Sequence, residues 1–487
     1  MFVGRKYDLA LLNGLWSDRG GVLVTCRGRR RIGKSTLIEE FASRYADHFH
    51  SIDGLSPRKG MTDAKQRQHF CEKIAEFSGR ATRTAETWSV AFAQLDELVS
   101  SEGRTVVLLD EVSWLGGYDS DFAGYLKEAW DRKLKKHPNF MLVICGSVSA
   151  WIAENILDST GFVGRNSLDL EVGELSLAES LELLGSRAQR LSVSEKLDLL
   201  SLTGGVPRYL EAVRPELSVE ENIRQLCFMP HGLLFREFDE TFSGVFGRRI
   251  MSRAKMLRAI LNDAKSVSEL ADEAEVSPSG GQTKVLDDLV LAGFVAREKG
   301  LNPQTGKPLR KERFRVKDNY VRFYLNFVEP RKQAVAAGLF KFSSMEQIHG
   351  WDVVLGLQFE NLVLNHVADI LPLLGLEHSL VLSAAPFVRR QTKADPGFQV
   401  DLLIQTLRSM LVVEIKRRKE ITHGIIGEVE RKVAGLRRMT KVSIRTALIY
   451  AGELAKSVPA EGYFDFLIPA ERLLGSSRCE NRECMAQ

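Results

Sequence analysis

The stretch GVLVTCRGRRRIGKSTLIEEFASRY (Gly21–Tyr45) decides the fold of the front of this chain. Gly21–Cys26 is a short apolar, β-rich run, as a buried strand requires. Gly28–Ser35 then fits G-x-x-x-x-G-K-[ST], and TLIEEFASRY continues as an amphipathic helix. Strand, glycine loop and helix in that order form a phosphate cradle. The glycines let successive backbone N–H groups turn inward, and the start of the helix adds its positive dipole end. In this reading Gly28, Arg29, Arg30, Arg31, Ile32, Gly33, Lys34, Ser35 and Thr36 enclose phosphate. Lys34 would reach the β- and γ-phosphates, Ser35 would bind Mg²⁺ through its hydroxyl, and the three loop arginines would point outward.

Two later runs have the character of parallel strands buried on both faces. RTVVLLDEVSWL carries apolar or β-branched residues at Thr105–Leu109 and then Asp110 and Glu111. An acid at the C-terminal edge of such a strand meets the phosphate loop where open α/β sheets bind ligands. Asp110 would hold the Mg²⁺ shell and Glu111 would polarise an attacking water. FMLVICGSVSAW (Phe140–Trp151) ends in Ser147, a candidate sensor of the γ-phosphate, and Ser149, which equally fits a helix cap. GFVGRN offers Arg165 as a charge for the transferring phosphoryl group, from the same subunit or from a neighbour in a homo-oligomer.

At 487 residues the chain is long enough for roughly two to four domains. Its net charge of +4 argues neither for nor against nucleic acid, so local clusters must decide. Apolar runs such as TVVLL and MLVIC fall far short of the roughly 20 residues that span a bilayer, which disfavours a membrane transporter. MFVGRKYDL has no apolar stretch suited to a signal peptide, and a cytoplasmic protein is expected. Cys26, Cys71, Cys145, Cys227, Cys479 and Cys484 are too scattered for a zinc site and read as free thiols.

MFVGRKYDLALL, GRRRIGKST, LLDEVSWL, ICGSVSAW, FVGRN and TGGVPRYL (Thr203–Leu210) occur in the order seen in archaeal-type AAA+ ATPases related to the STAND class. The resemblance spans about residues 1–245 and implies ATP and Mg²⁺ as cofactors. It places Phe2–Arg5 near the adenine, with Lys6 where an acid is usual, and Pro207 in a helical lid closing over the base.

Past Ser252, RAKMLRAIL, SVSELADEAEVS and QTKVLDDLVLAGFVARE read as short helices and a strand, the pattern of a winged helix-turn-helix. Arg297–Lys317 holds eight Lys or Arg against two Glu, which suits a wing that touches phosphates. Asp287 and Asp288 in the second helix fit base reading poorly, so a protein-contacting module is the alternative.

Near the end, Gln399–Gln405 and Met410–Lys416 are β-like runs joined at Thr406–Ser409. A hairpin closed at Leu407 and Arg408 makes Asp401 and Glu414 cross-strand neighbours, with Lys416 on the same face. Two carboxylates and the Ile415 carbonyl would form an all-oxygen Mg²⁺ site, and Lys416 would orient a water or stabilise phosphorane charge. Asp followed by Glu-x-Lys resembles the PD-(D/E)xK pattern of restriction-like nucleases, with Val400 in place of the proline. That resemblance assigns Glu360 of LGLQFENLVLNHV as one more acid. Ten Lys or Arg against four Glu over Arg408–Lys441 would flank the site with phosphate-binding charge.

The expected fold is α/β: a P-loop ATPase core (1–170), a helical lid (171–248), a winged helix (249–330), a restriction-endonuclease-like domain (331–475) and a polar tail (476–487). The expected function is an ATP-hydrolysing switch coupled to a Mg²⁺-dependent nuclease, with nucleic acid, DNA first, as partner. A catalytically inactive nuclease fold in an ATP-controlled regulator is the alternative.

Overall fold

The structure, a computed structural model, describes residues 2–475 apart from 18, 100–101, 148, 248–249, 274–279, 343, 377–379 and 392–395. The expected tail, with Cys479 and Cys484, and the side chain of Ser149 lie outside the described residues. The other four cysteines are free and buried. No helix among the described residues is long and apolar enough to cross a membrane. The chain forms two compact units, Phe2–Gly173 and Glu174 onward.

The first unit is built on β1 (Val22–Arg27), β2 (His48–Asp53), β3 (Thr105–Asp110), β4 (Phe140–Gly146) and β5 (Asn166–Glu171). They form a parallel sheet in the order β2-β3-β4-β1-β5. Every residue of β3 and β4 is buried, as two-sided cover by helices requires. Beside the sheet, the helices Asp63–Ser78, Trp88–Leu98 and Phe122–Arg132 contribute Phe70, Trp88, Phe92 and Phe122 to the core. The rings of Trp88 and Phe122 meet edge to face at 4.7 Å. The polar sequence HFHSID of β2 forms a strand because β3 supplies its ladder, from His48 opposite Thr105 to Asp53 opposite Asp110.

In the second unit, helices Ile250–Ala259, Val267–Glu273 and Gly280–Leu291 precede the antiparallel ribbon of β6 (Val295–Glu298) and β7 (Arg313–Val316). A second sheet follows, from β8 (Val381–Arg389), β9 (Phe398–Thr406), β10 (Ser409–Ile421), β11 (Ser443–Leu454) and β12 (Phe466–Pro469). Its order is β12-β11-β10-β9-β8, antiparallel from β8 to β10 and parallel from β10 to β12.

Both expected boundaries at 248/249 and 330/331 lie inside the second unit, and buried contacts cross them. Tyr320 Oη donates to the Leu234 carbonyl at 2.8 Å, Phe238 stacks on Tyr324 at 4.6 Å, and Gln358 Nε2 donates to the carbonyls of Ser201 and Asn319 at 2.7 Å. The basic ribbon is also less available to phosphates than its composition implied. Arg297 pairs with Asp287 and Glu312, Lys299 with Glu312, Arg313 with Glu269, and the buried Arg315 with Glu298. Acids of the preceding helices, of β6 and of the connection to β7 thus pair with four of the eight cations.

β10 bends where its register with β11 shifts, between Arg417 and Glu420. Gly452 makes the bend possible: its φ is +120°, and a Cβ there would lie 1.7 Å from the Arg418 carbonyl oxygen. Gly452→Ala is therefore expected to destabilise the second unit by about 2–4 kcal/mol, through backbone strain plus a backbone clash. Calorimetry would show it as a lowered melting transition, and an unchanged profile would refute the constraint.

Candidate phosphate-loop and carboxylate–lysine sites

In the first unit β1 runs directly into the loop, and the helix Lys34–Tyr45 starts at Gly33. The loop turns through left-handed backbone at Arg31 (φ 71°) and Gly33 (φ 86°), which aims neighbouring N–H groups to one side. Gly28 is required by crowding, since a Cβ would lie 2.4 Å from the Val172 carbonyl oxygen. Lys34 is 7% exposed, and its ammonium donates to the carbonyls of Gly28 and Arg29 at 3.1 Å. It therefore spans the mouth of the loop. Ile32 and Arg29 are buried, which corrects the expectation that all three loop arginines point outward; Arg30 and Arg31 are half-buried. Thr36 stands exposed on the first helical turn.

The parallel sheet delivers the acids to the same edge. Ser35 Oγ donates to Asp110 Oδ2 in a short hydrogen bond. A hydroxyl against a carboxylate beside a phosphate loop is a donor set that fits Mg²⁺. Glu111 has left-handed backbone (φ 45°, ψ 46°) and accepts from Ser147 Oγ at 2.9 and 3.0 Å and from Ser147 N–H at 3.3 Å. The two strand ends thus present Glu111 and Ser147 as one hydrogen-bonded pair. Arg5 Nη2 donates to the carbonyls of Gly173 at 2.6 Å and Ile32 at 3.3 Å, tying the Phe2–Arg5 segment to the loop. Arg165 is committed elsewhere than expected: its guanidinium grips Asp131 with two arms, at 2.7 and 2.9 Å. That hydrogen bonding holds the Asp131 carboxyl well below the usual range. Pro207 opens the short helix Pro207–Leu210 of the second unit.

In the second unit β9 and β10 pair with Met410 opposite Gln405 and Val413 opposite Leu402. The next positions out are Glu414 and Asp401, in the register the hairpin predicts. Asp401 Oδ2 accepts from Ile415 N–H at 2.9 Å, so Ile415 meets the site through its amide. Lys416 Nζ lies 2.6 Å from Glu414 Oε1 and 3.9 Å from Asp401 Oδ2. Lys432, on the helix Gly424–Arg437, lies 2.5 Å from Glu414 Oε2 and 3.5 Å from Asp401 Oδ1. Two buried carboxylates are clasped by two ammonium groups, which offset a desolvation cost that neither acid would bear alone. Burial pushes the Asp401 carboxyl up, and the Glu414 charge adds to this against the two lysines. Burial would discharge Lys416, but Asp401 and Glu414 outweigh it and hold its ammonium above the ordinary lysine range.

Glu360 lies on the helix Trp351–Asn365, which packs against β10. Desolvation first, and then the Asp401 charge, push its carboxyl up to about 7. Glu360 is therefore within electrostatic reach of Asp401, with Arg322, Arg315 and Lys416 opposing the shift. Among the described residues, however, no three His, Cys, Asp or Glu are grouped closely enough to hold a metal ion. Asp401 and Glu414 fit Mg²⁺ as two hard oxygen ligands, with water and a phosphate oxygen completing the shell.

Sequence reasoning missed Lys432 and Asp53. Lys432 is one of many cations in a basic stretch, and only the packing of its helix on β9 and β10 singles it out. Asp53 ends the unpredicted β2 opposite Asp110, and its carboxyl is pushed up by partial desolvation and then by that neighbour's charge.

Residues 2–213 match the family described as an ATPase domain predominantly from Archaea. An uncharacterised protein of Methanocaldococcus jannaschii is 21% identical over 378 residues, which cover 76% of this chain and 78% of its own. An uncharacterised ATP-binding protein of the same organism is 44% identical over 41 residues, 8% of this chain and 70% of its own. Among solved structures, a Walker-type ATPase of Pyrococcus abyssi is similar at 17% identity and a TM-score of 0.47, over 66% of this chain and 96% of that one. The ORC2 protein of Aeropyrum pernix, in complexes with ADPNP and ADP, is similar at 15% identity and a TM-score of 0.43, over 69% and 94%. The strand, the glycine loop and the acid-tipped neighbouring strand all lie within residues 2–213, the stretch that is similar to this archaeal ATPase domain.

Proposed function

We propose that this chain is an ATP-binding and ATP-hydrolysing switch joined to a Mg²⁺-dependent phosphodiesterase that acts on nucleic acid, in processing or defence. The observation that supports the second activity is the convergence of Asp401, Glu414, Lys416 and Lys432, with Glu360 in electrostatic reach. In the first unit Lys34 would exchange its two carbonyl partners for phosphate oxygens, while Ser35 and Asp110 hold Mg²⁺. Glu111 would orient the attacking water, with Ser147 fixing its carboxylate. In the second unit Asp401 and Glu414 would hold the metal, Lys416 would orient the nucleophilic water, and Lys432 would face the phosphate. Mg²⁺, when bound, supplies Lewis acidity and lowers the pKa of a coordinated water.

A second reading, an ATP-controlled regulator that binds nucleic acid or protein without cutting, is favoured by one observation. Each carboxylate of the pair already has lysine partners, and no third acid joins them closely among the described residues.

Three outcomes follow. Lys34→Ala should weaken ATP binding at least about tenfold in titration calorimetry, since a buried charge on the phosphates is worth more than about 1.4 kcal/mol. Unchanged affinity would rule out the cradle. Glu414→Ala should abolish Mg²⁺- or Mn²⁺-dependent cleavage of single-stranded and duplex DNA in the presence of ATP; wild type and variant equally inert would leave the regulator. The third concerns pH. Glu360 ionises near 7 in the folded chain against 4.5 ordinarily, so the folded state holds an extra proton between those values. Its stability contribution is present below 4.5 and declines as pH rises towards 7. Glu360→Gln should flatten that part of the stability–pH profile in denaturant unfolding, and an unaltered slope would refute the assignment.

A further inference from the structure

Beside the carboxylate pair lies a cavity of about 480 Å³, within the roughly 300–1,000 Å³ of ligand-sized sites. One wall is the helix Gly424–Arg437. That helix buries Ile425, Ile426, Val429, Val433 and Leu436 in the core of the second sheet and turns Glu428, Arg431, Lys432 and Gly435 to the cavity. The other wall is the edge of the sheet, where Arg389 at the end of β8 stands opposite Phe398 at the start of β9. Arg438 closes the rim, so four cations face one acid, Glu428.

Phe398 is half-buried, with Phe387 behind it at 5.9 Å. Its ring lies against the helix only because residue 435 is glycine. A Cβ at that position would stand 2.4 Å from the ring. The cavity and the carboxylate pair share one residue. Lys432 lines the one and contacts both acids of the other, and Gln399 lies two residues from Asp401 on the same face of β9.

An aromatic ring set among arginines is chemistry for one nucleotide, with the base stacked and the phosphate paired. A base inside a duplex offers its faces only to its stacked neighbours, so stacking on a side chain requires an unpaired base. We propose that this cavity binds one nucleotide of an unpaired strand, its base on Phe398 and its phosphate on Arg431 and Arg438, and thereby selects single-stranded nucleic acid for the carboxylate–lysine cluster. The inference deepens the phosphodiesterase reading and rests on it for what happens to the strand, but the binding itself needs no metal.

The test is fluorescence anisotropy of the full chain in EDTA, without ATP. The probes are fluorescein-labelled oligodeoxythymidylate, oligouridylate of the same length, and a blunt DNA duplex. A single strand should bind more tightly than the duplex, and whichever single strand binds better identifies the sugar. Arg431→Ala/Arg438→Ala, both on exposed side chains, should weaken that binding at least about tenfold. It should also make the log–log salt dependence shallower by about 1.4, or about 0.7 for each arginine–phosphate pair removed. Phe398→Leu should weaken binding about fivefold or more with the salt dependence kept, since stacking is lost and charge is not. Lys456→Ala/Arg472→Ala removes equal charge from exposed positions outside the cavity and should bind as wild type does. The proposal is overturned if the Arg431/Arg438 variant behaves like this control, if the duplex binds as tightly as either single strand, or if neither strand binds. Cleavage plays no part in the readout, so the absence of nuclease activity and the absence of this site are separate results.

Discussion

The register between β9 and β10 is the constraint on which the second site rests. Side chains alternate along a strand, so a slip of one residue would send Asp401 and Glu414 to opposite faces of the sheet. Hydrophobic patterning cannot prevent that slip here, because Val400–Gln405 and Met410–Ile415 are buried on both faces. The turn sets the register instead. Thr406 Oγ1 accepts from the backbone N–H groups of Arg408 and Ser409 and also pairs with the Ser409 hydroxyl. At the far end, the Asp401 carboxylate takes the Ile415 amide and pins the ladder with a polar interaction that a shifted strand would forfeit.

The two units solve a common problem, holding charge in a dry place. In the first, Lys34 rests on backbone carbonyls, and Ser35 and Asp110 rest on each other. In the second, two ammonium groups rest on two carboxylates. Each arrangement is self-satisfied without a ligand, which spares the fold the cost of an unpaired buried ion. The partners of each group are also the kinds of group a phosphate or a hard cation can replace.

What the sequence made legible were the features that depend on local order. The phosphate loop, the apolar β3 and β4 with Asp110 and Glu111, and the β9–β10 hairpin all follow from short contiguous patterns. What it hid depends on partners distant in the chain. HFHSID is a strand only because β3 lies beside it, and Lys432 is distinguished from nine other cations only by helix packing. The ribbon of β6 and β7 misleads for the same reason. Its cations are legible as composition, while the acids that pair with half of them come from helices earlier in the chain, from β6 and from Glu312 just before β7. Arg165 likewise looked available until Asp131, more than a strand away, came to meet it.

The backbone at Glu111 carries a consequence for how the first unit can vary. A non-glycine residue held in left-handed conformation costs roughly 1–3 kcal/mol, and glycine would adopt it with far less strain. The domain therefore tolerates a local penalty at the one position where a carboxylate leans across from β3 to Ser147 at the tip of β4. Relaxing that strain with glycine would make the backbone sturdier and leave the neighbouring serine with nothing to hold, so backbone ease and the Glu111–Ser147 pairing pull residue 111 in opposite directions.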